Sequence, residues 1–160
     1  MDAGELMKSA SAKPKIIASI HLAGIRESVS YARTQVRQWL GDDHPAGDDA
    51  VLAASELLTN ALQHSDARPY DLIGLAVAAT AEMVYVEVRD PGSSFSAPHI
   101  RQETQAEGGR GLMIISEISE DWGVREHGPG VGRTVWCVIR SPLPAPAVLV
   151  PERRMDAAPG

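Results

Sequence analysis

Between Val51 and Leu62 the chain repeats apolar residues at the spacing of one helical face, with Val51, Ala54, Leu57, Leu58, Ala61 and Leu62 on a single stripe. So continuous a stripe must be buried, and the helix that carries it has to lie on a core supplied by other segments. Glu56 and Asn60 fall outside the stripe, four residues apart and stacked on one face, with Thr59 and Gln63 beside them. Such pairs are common on solvated helix faces. A functional role requires company elsewhere in the chain.

The remaining segments supply elements for a core. Residues 16–22 are rich in β-branched side chains and read as a strand closed by Gly24. From 27 to 40, Val29, Ala32, Val36, Trp39 and Leu40 recur at helical spacing, and Gly41 is the stop signal. Residues 41–47 form a turn, after which Asp48 and Asp49 place negative charge at the start of a helix that runs to His64. Two strand-like runs follow at 70–77 and 83–89; in the second, Val84, Val86 and Val88 alternate with Tyr85, Glu87 and Arg89, giving one buried and one wetter face. The run stops at Asp90-Pro91-Gly92, and residues 91–109 show no period, as expected of a functional loop or lid. Gly108-Gly109-Arg110-Gly111 precedes a short apolar helix at 112–118, opening with Leu112. Residues 122–126 and 133–140 read as hairpin strands joined through His127-Gly128-Pro129-Gly130. Residues 1–14 are expected to be a loose arm, 15–140 the single domain, and 141–160 a proline-rich tail.

Several chemistries are disfavoured. A net charge of −6 argues against a sequence-independent grip on nucleic acid or anionic lipid. Lys8, Lys13 and Lys15 are the only lysines and none follows a glycine-rich turn, so a P-loop is excluded. The single cysteine, Cys137, lies in an apolar run and reads as a packed strand residue. His44, His64, His99 and His127 lack metal-ligand spacing and read as solvated or capping residues. No serine occupies a nucleophile elbow. With neither an apolar leader nor an 18-residue apolar run, a cytoplasmic protein without a membrane span is expected.

Two features have the chemistry of ligand contacts. Glycines at 108, 109 and 111 let backbone N–H groups approach an anion at a helix N-terminus, where about half a positive charge resides. Asp90 is a natural turn former, but at the mouth of a pocket it would accept a hydrogen bond from a ligand amino group. Thr134, opening the last strand, has the same two readings. The run Gly128-x-Gly130-x-Gly132 lies between two strands and reads as hairpin chemistry.

In order, these are E-x-x-x-N on a helix, strand-Asp-x-Gly, a long loop, Gly-Gly-Arg-Gly at a helix, and Gly-Arg-Thr in a final strand. The order resembles that of the GHKL ATP-binding superfamily, and within it the stand-alone bacterial anti-sigma-factor serine/threonine kinases, over residues of about 15 to 140. The resemblance implies a Bergerat α/β (α+β) two-layer sandwich: a mixed, mostly antiparallel sheet with about three helices on one face. It implies ATP and Mg²⁺ as ligands, with Asn60 on the metal and Glu56 as general base. Asp90 would bind the adenine amino group, Gly92 would allow close approach, and Thr134 would support the same contact. Gly108, Gly109, Gly111 and the adjoining Leu112 would lie along the phosphates, with Arg110 as a charge partner and residues 93–107 as the ATP lid. The implied activity is transfer of the γ-phosphate to a serine or threonine of an antagonist protein, coupled to sequestration of a sigma factor. The alternative is a catalytically inactive, nucleotide-responsive binding module, because Ser93-Ser94 stands where the family commonly has a second glycine after Asp-x-Gly. The resemblance also suggests a homodimer contacting through the first strand and helix, although Val29, Tyr31 and Trp39 are assigned here to the core.

Overall fold

A computed structural model describes residues 15–64, 71–91, 109–128 and 130–141. The apolar periods sort them into β1 (Lys15–Ala23), α1 (Glu27–Leu40), α2 (Gly47–His64), β2 (Leu72–Ala79), β3 (Met83–Asp90), α3 (Gly109–Ile118), β4 (Asp121–Glu126) and β5 (Arg133–Arg140). The strands form one sheet in the order β1-β2-β3-β5-β4. Every pairing among the described residues is antiparallel. The β4–β5 hairpin inserts its second strand beside β3, so Asp90 at the end of β3 faces Arg133 at the start of β5.

Strand alternation decides which side the helices cover. Val84, Val86 and Val88 of β3 join Ile73, Leu75 and Val77 of β2 and Val135, Cys137 and Ile139 of β5 in one core, with Leu57, Leu58, Ala54 and Ala61 of α2 against them. Leu57 and Leu58 are fully buried, each worth about 1.5–3 kcal/mol. Helix α2 is the central element, packed on α1, α3 and β3. Its first turn carries Asp48 and Asp49. Arg33 of α1 locks the two long helices together, donating from Nε and Nη2 to Ser55 Oγ at 3.0 and 2.7 Å. Helix α1 stops at Gly41, whose φ of 91° suits a glycine and whose N–H bonds the Arg37 carbonyl.

The opposite face holds a smaller cluster of Ala78, Met83, Trp136 and Val138, with Tyr85 stacked on Trp136 at a ring separation of 6.4 Å. The Tyr85 hydroxyl donates to Glu87 at 2.6 Å and accepts from Arg125 at 2.7 Å. Burial and the adjacent Glu87 carboxylate push the Tyr85 phenol pKa upward.

Three expectations need correction. Tyr31, assigned to the core, is 55% exposed, because α1 turns Ser28, Ala32 and Val36 inward and Tyr31 lies about 100° round the helix from Ala32. Val29 and Trp39 do pack on the core. The strand expected over 70–77 is Leu72–Ala79, since its pairing with β1 continues to Ala79 opposite Lys15. The third helix begins at Gly109, so the glycine run contributes its first turn instead of only preceding it. The arm, residues 92–108 and the tail from 142 lie outside the described residues.

Candidate functional site

The inward stripe of α2 fixes the direction of its other faces. With Leu57, Leu58 and Ala61 pinned in the core, Glu56 is directed toward α3: its Oε2 lies 2.9 Å from where a Cβ on Gly111 would stand. Any larger residue at 111 would displace the carboxylate. Asn60 lies about 6 Å further along the helix axis and is only 8% exposed. A partly buried carboxylate and a nearly buried amide thus lie one helical turn apart, the carboxylate beside the first turn of α3. That turn contains Gly109, Arg110 and Gly111, where unsatisfied backbone N–H groups favour negative charge. Arg110 is exposed and Leu112 packs against the core. Gly92, Gly108 and the expected lid at 93–107 lie outside the described residues.

Asp90 ends β3 on the inward register of Val84, Val86 and Val88 and is 2% exposed. Opposite it, Arg133 donates from Nε to Asp90 Oδ2 at 3.1 Å, in an ion pair whose side chains are 9% and 0% exposed. The outer Arg133 nitrogen, Nη2, is buried and has no hydrogen-bond partner among the described residues. Gly132 holds the corner. Its φ is 119°, and a Cβ there would come within 2.2 Å of the Asp90 carbonyl oxygen, so the hairpin crosses the end of β3 at backbone contact.

Thr134 is not brought to Asp90. It pairs with Arg89 and Arg125 and shares the parity of Trp136 and Val138, the face turned from the helices. Its hydroxyl lies 2.8 Å from His127 Nε2. Arg133 therefore occupies the position beside Asp90 that was expected of Thr134. A charged residue on the inward parity of Val135, Cys137 and Ile139 was the sequence signal for it.

Among the described residues no group of three or more His, Cys, Asp or Glu side chains is arranged to hold a metal. The Asn60 side-chain oxygen is a hard donor of the type that divalent cations such as Mg²⁺ accept.

A search of curated proteins finds no match. The family model for the histidine kinase-like ATPase domain matches residues 22–139. That span runs from the end of β1 nearly to the end of β5 and takes in Glu56, Asn60, Asp90 and the α3 glycines. The chain therefore belongs to the histidine kinase-like ATPase domain family.

Proposed function

We propose that this ATP-binding domain is a protein serine/threonine kinase that modifies an antagonist protein and, when the antagonist is modified, sequesters a sigma factor. The observation that carries the phosphotransfer step is Glu56 held against Gly111, with Asn60 one turn further along α2. The residues fit the nucleotide. The missing Cβ at Gly111 leaves the Glu56 carboxylate beside the first turn of α3, where N–H groups suit phosphates. Asp90 stands at the end of β3 as the acceptor for the base.

Bound Mg²⁺ supplies charge neutralisation for the phosphates, and the Asn60 side-chain oxygen is the residue that would hold it. Glu56 takes the proton from the attacking serine or threonine hydroxyl. The new O–P bond forms as the bond to the ADP leaving oxygen breaks, and the α3 N–H groups remain on the phosphates. Strand β1 is one edge of the sheet, so its outer backbone and α1 offer a surface on which a second copy would meet it.

The test is incubation of the purified protein and its captured partner with labelled ATP. Transfer that is lost in Glu56→Ala while ATP still binds supports the kinase reading. Wild-type protein that binds ATP and transfers nothing would replace it with a nucleotide-responsive binding module.

A further inference from the structure

We propose that Arg133 is a base-recognition residue, whose Nη2 donates a hydrogen bond to an adenine ring nitrogen flanking the amino group that Asp90 accepts. This rests on the nucleotide-binding reading and adds a residue to it. A guanidinium presents its donors in one plane. With Nε committed to Asp90 Oδ2 at 3.1 Å, the direction of Nη2 is fixed by the same geometry. Nη2 is buried with no hydrogen-bond partner among the described residues, on a residue only 8% exposed. A buried charged donor lacking an acceptor is costly, so an acceptor delivered by a ligand has a large effect. The parity of Arg133 with Val135, Cys137 and Ile139 aims it into the helix-covered side, where Asp90 also points.

The Asp90–Arg133 pair thus presents an acceptor group beside a donor. Adenine presents the complement, an amino donor beside a ring-nitrogen acceptor, at N1 on one edge and at N7 on the other. Arg133 makes recognition two-point where Asp90 alone would make it one-point.

Calorimetry with ADP, 1-deaza-ADP and 7-deaza-ADP on the full chain tests this. The analogue lacking the contacted nitrogen is expected to bind wild type about tenfold or more weakly than ADP, as for a hydrogen bond to a charged group. In Arg133→Met that penalty disappears, and in Arg133→Gln, which keeps a neutral donor and a partner for Asp90, it shrinks severalfold. Loss with 1-deaza-ADP assigns N1, and loss with 7-deaza-ADP assigns N7. If both analogues bind wild type as tightly as ADP, or the penalty persists undiminished in Arg133→Gln, the assignment to Arg133 is overturned while the nucleotide site stands. Wild type that binds no ADP overturns the nucleotide reading and this proposal with it.

Discussion

Glu56 and Gly111 face each other so closely that a Cβ on residue 111 would stand 2.9 Å from the glutamate Oε2. The carboxylate is the end of a flexible side chain, so it can swing away without moving the backbone. Gly111→Ala is therefore expected to keep the fold, and the helix propensity of alanine adds up to about 1 kcal/mol. The displaced base should nevertheless lower phosphotransfer by an order of magnitude or more. Thermal unfolding and a labelled-ATP transfer assay on the same preparation check both halves. Unchanged transfer would remove the position of Glu56 from the mechanism.

Gly132 has no such freedom. Its Cβ would meet the Asp90 carbonyl oxygen at 2.2 Å, at a φ of 119°, and backbone cannot rotate away. Gly132→Ala is expected to cost about 3 kcal/mol or more. Gly130, at φ 73° with nothing within 4 Å of its Cβ, should cost only about 1–2 kcal/mol as alanine. Urea unfolding of the two variants should rank them in that order; equal losses would contradict the close crossing.

The buried Asp90–Arg133 pair should show strong coupling. Removing Asp90 leaves the Arg133 charge buried without its carboxylate, at a cost of about 3–5 kcal/mol, whereas removing both leaves no buried guanidinium behind. Asp90→Ala with Arg133→Met should accordingly lose well under the sum of the single losses. Additive losses in a urea-unfolding cycle would show that the two side chains do not depend on each other.

Burial in β5 pushes the Cys137 thiol up to about 12. In the unfolded chain a thiol ionises near pH 8.5. Below that pH both states keep the proton and the effect is absent. Above it the unfolded state binds fewer protons than the folded one, so stability falls by up to about 1.4 kcal/mol per pH unit until the folded thiol ionises. Comparing urea unfolding at about pH 8 and about pH 10, wild type should lose more stability than Cys137→Ala. Tyr85, also pushed up, is common to both proteins and cancels. An equal loss would show that the thiol is not buried in the folded state.

The elements were legible because each has a single strong period. The stripe from Val51 to Leu62 and the alternation of Val84, Val86 and Val88 are local patterns that burial follows at Ala54, Leu57, Leu58, Ala61 and the three valines, with Val51 and Leu62 partly buried and Ala53 and Ser55 buried outside the stripe. Tyr31 was misplaced because an aromatic ring beside an inward stripe reads as core from composition alone; its angle about α1 puts it in solvent. The ends of β2 and α3 were misplaced by a few residues because they depend on pairing with β1 and on the glycines joining the helix.

The sequence by itself determined the two apolar periods, the glycine-rich starts and stops, and the order of motifs containing Glu56, Asn60 and Asp90, because these depend on side-chain chemistry at short separations along the chain. Only the tertiary structure decided that Arg133, and not Thr134, stands beside Asp90 and that Glu56 closes on Gly111. Both contacts join residues far apart in sequence. Strand register and helix packing create them, and a register shift of one residue would exchange the face of every side chain in β5.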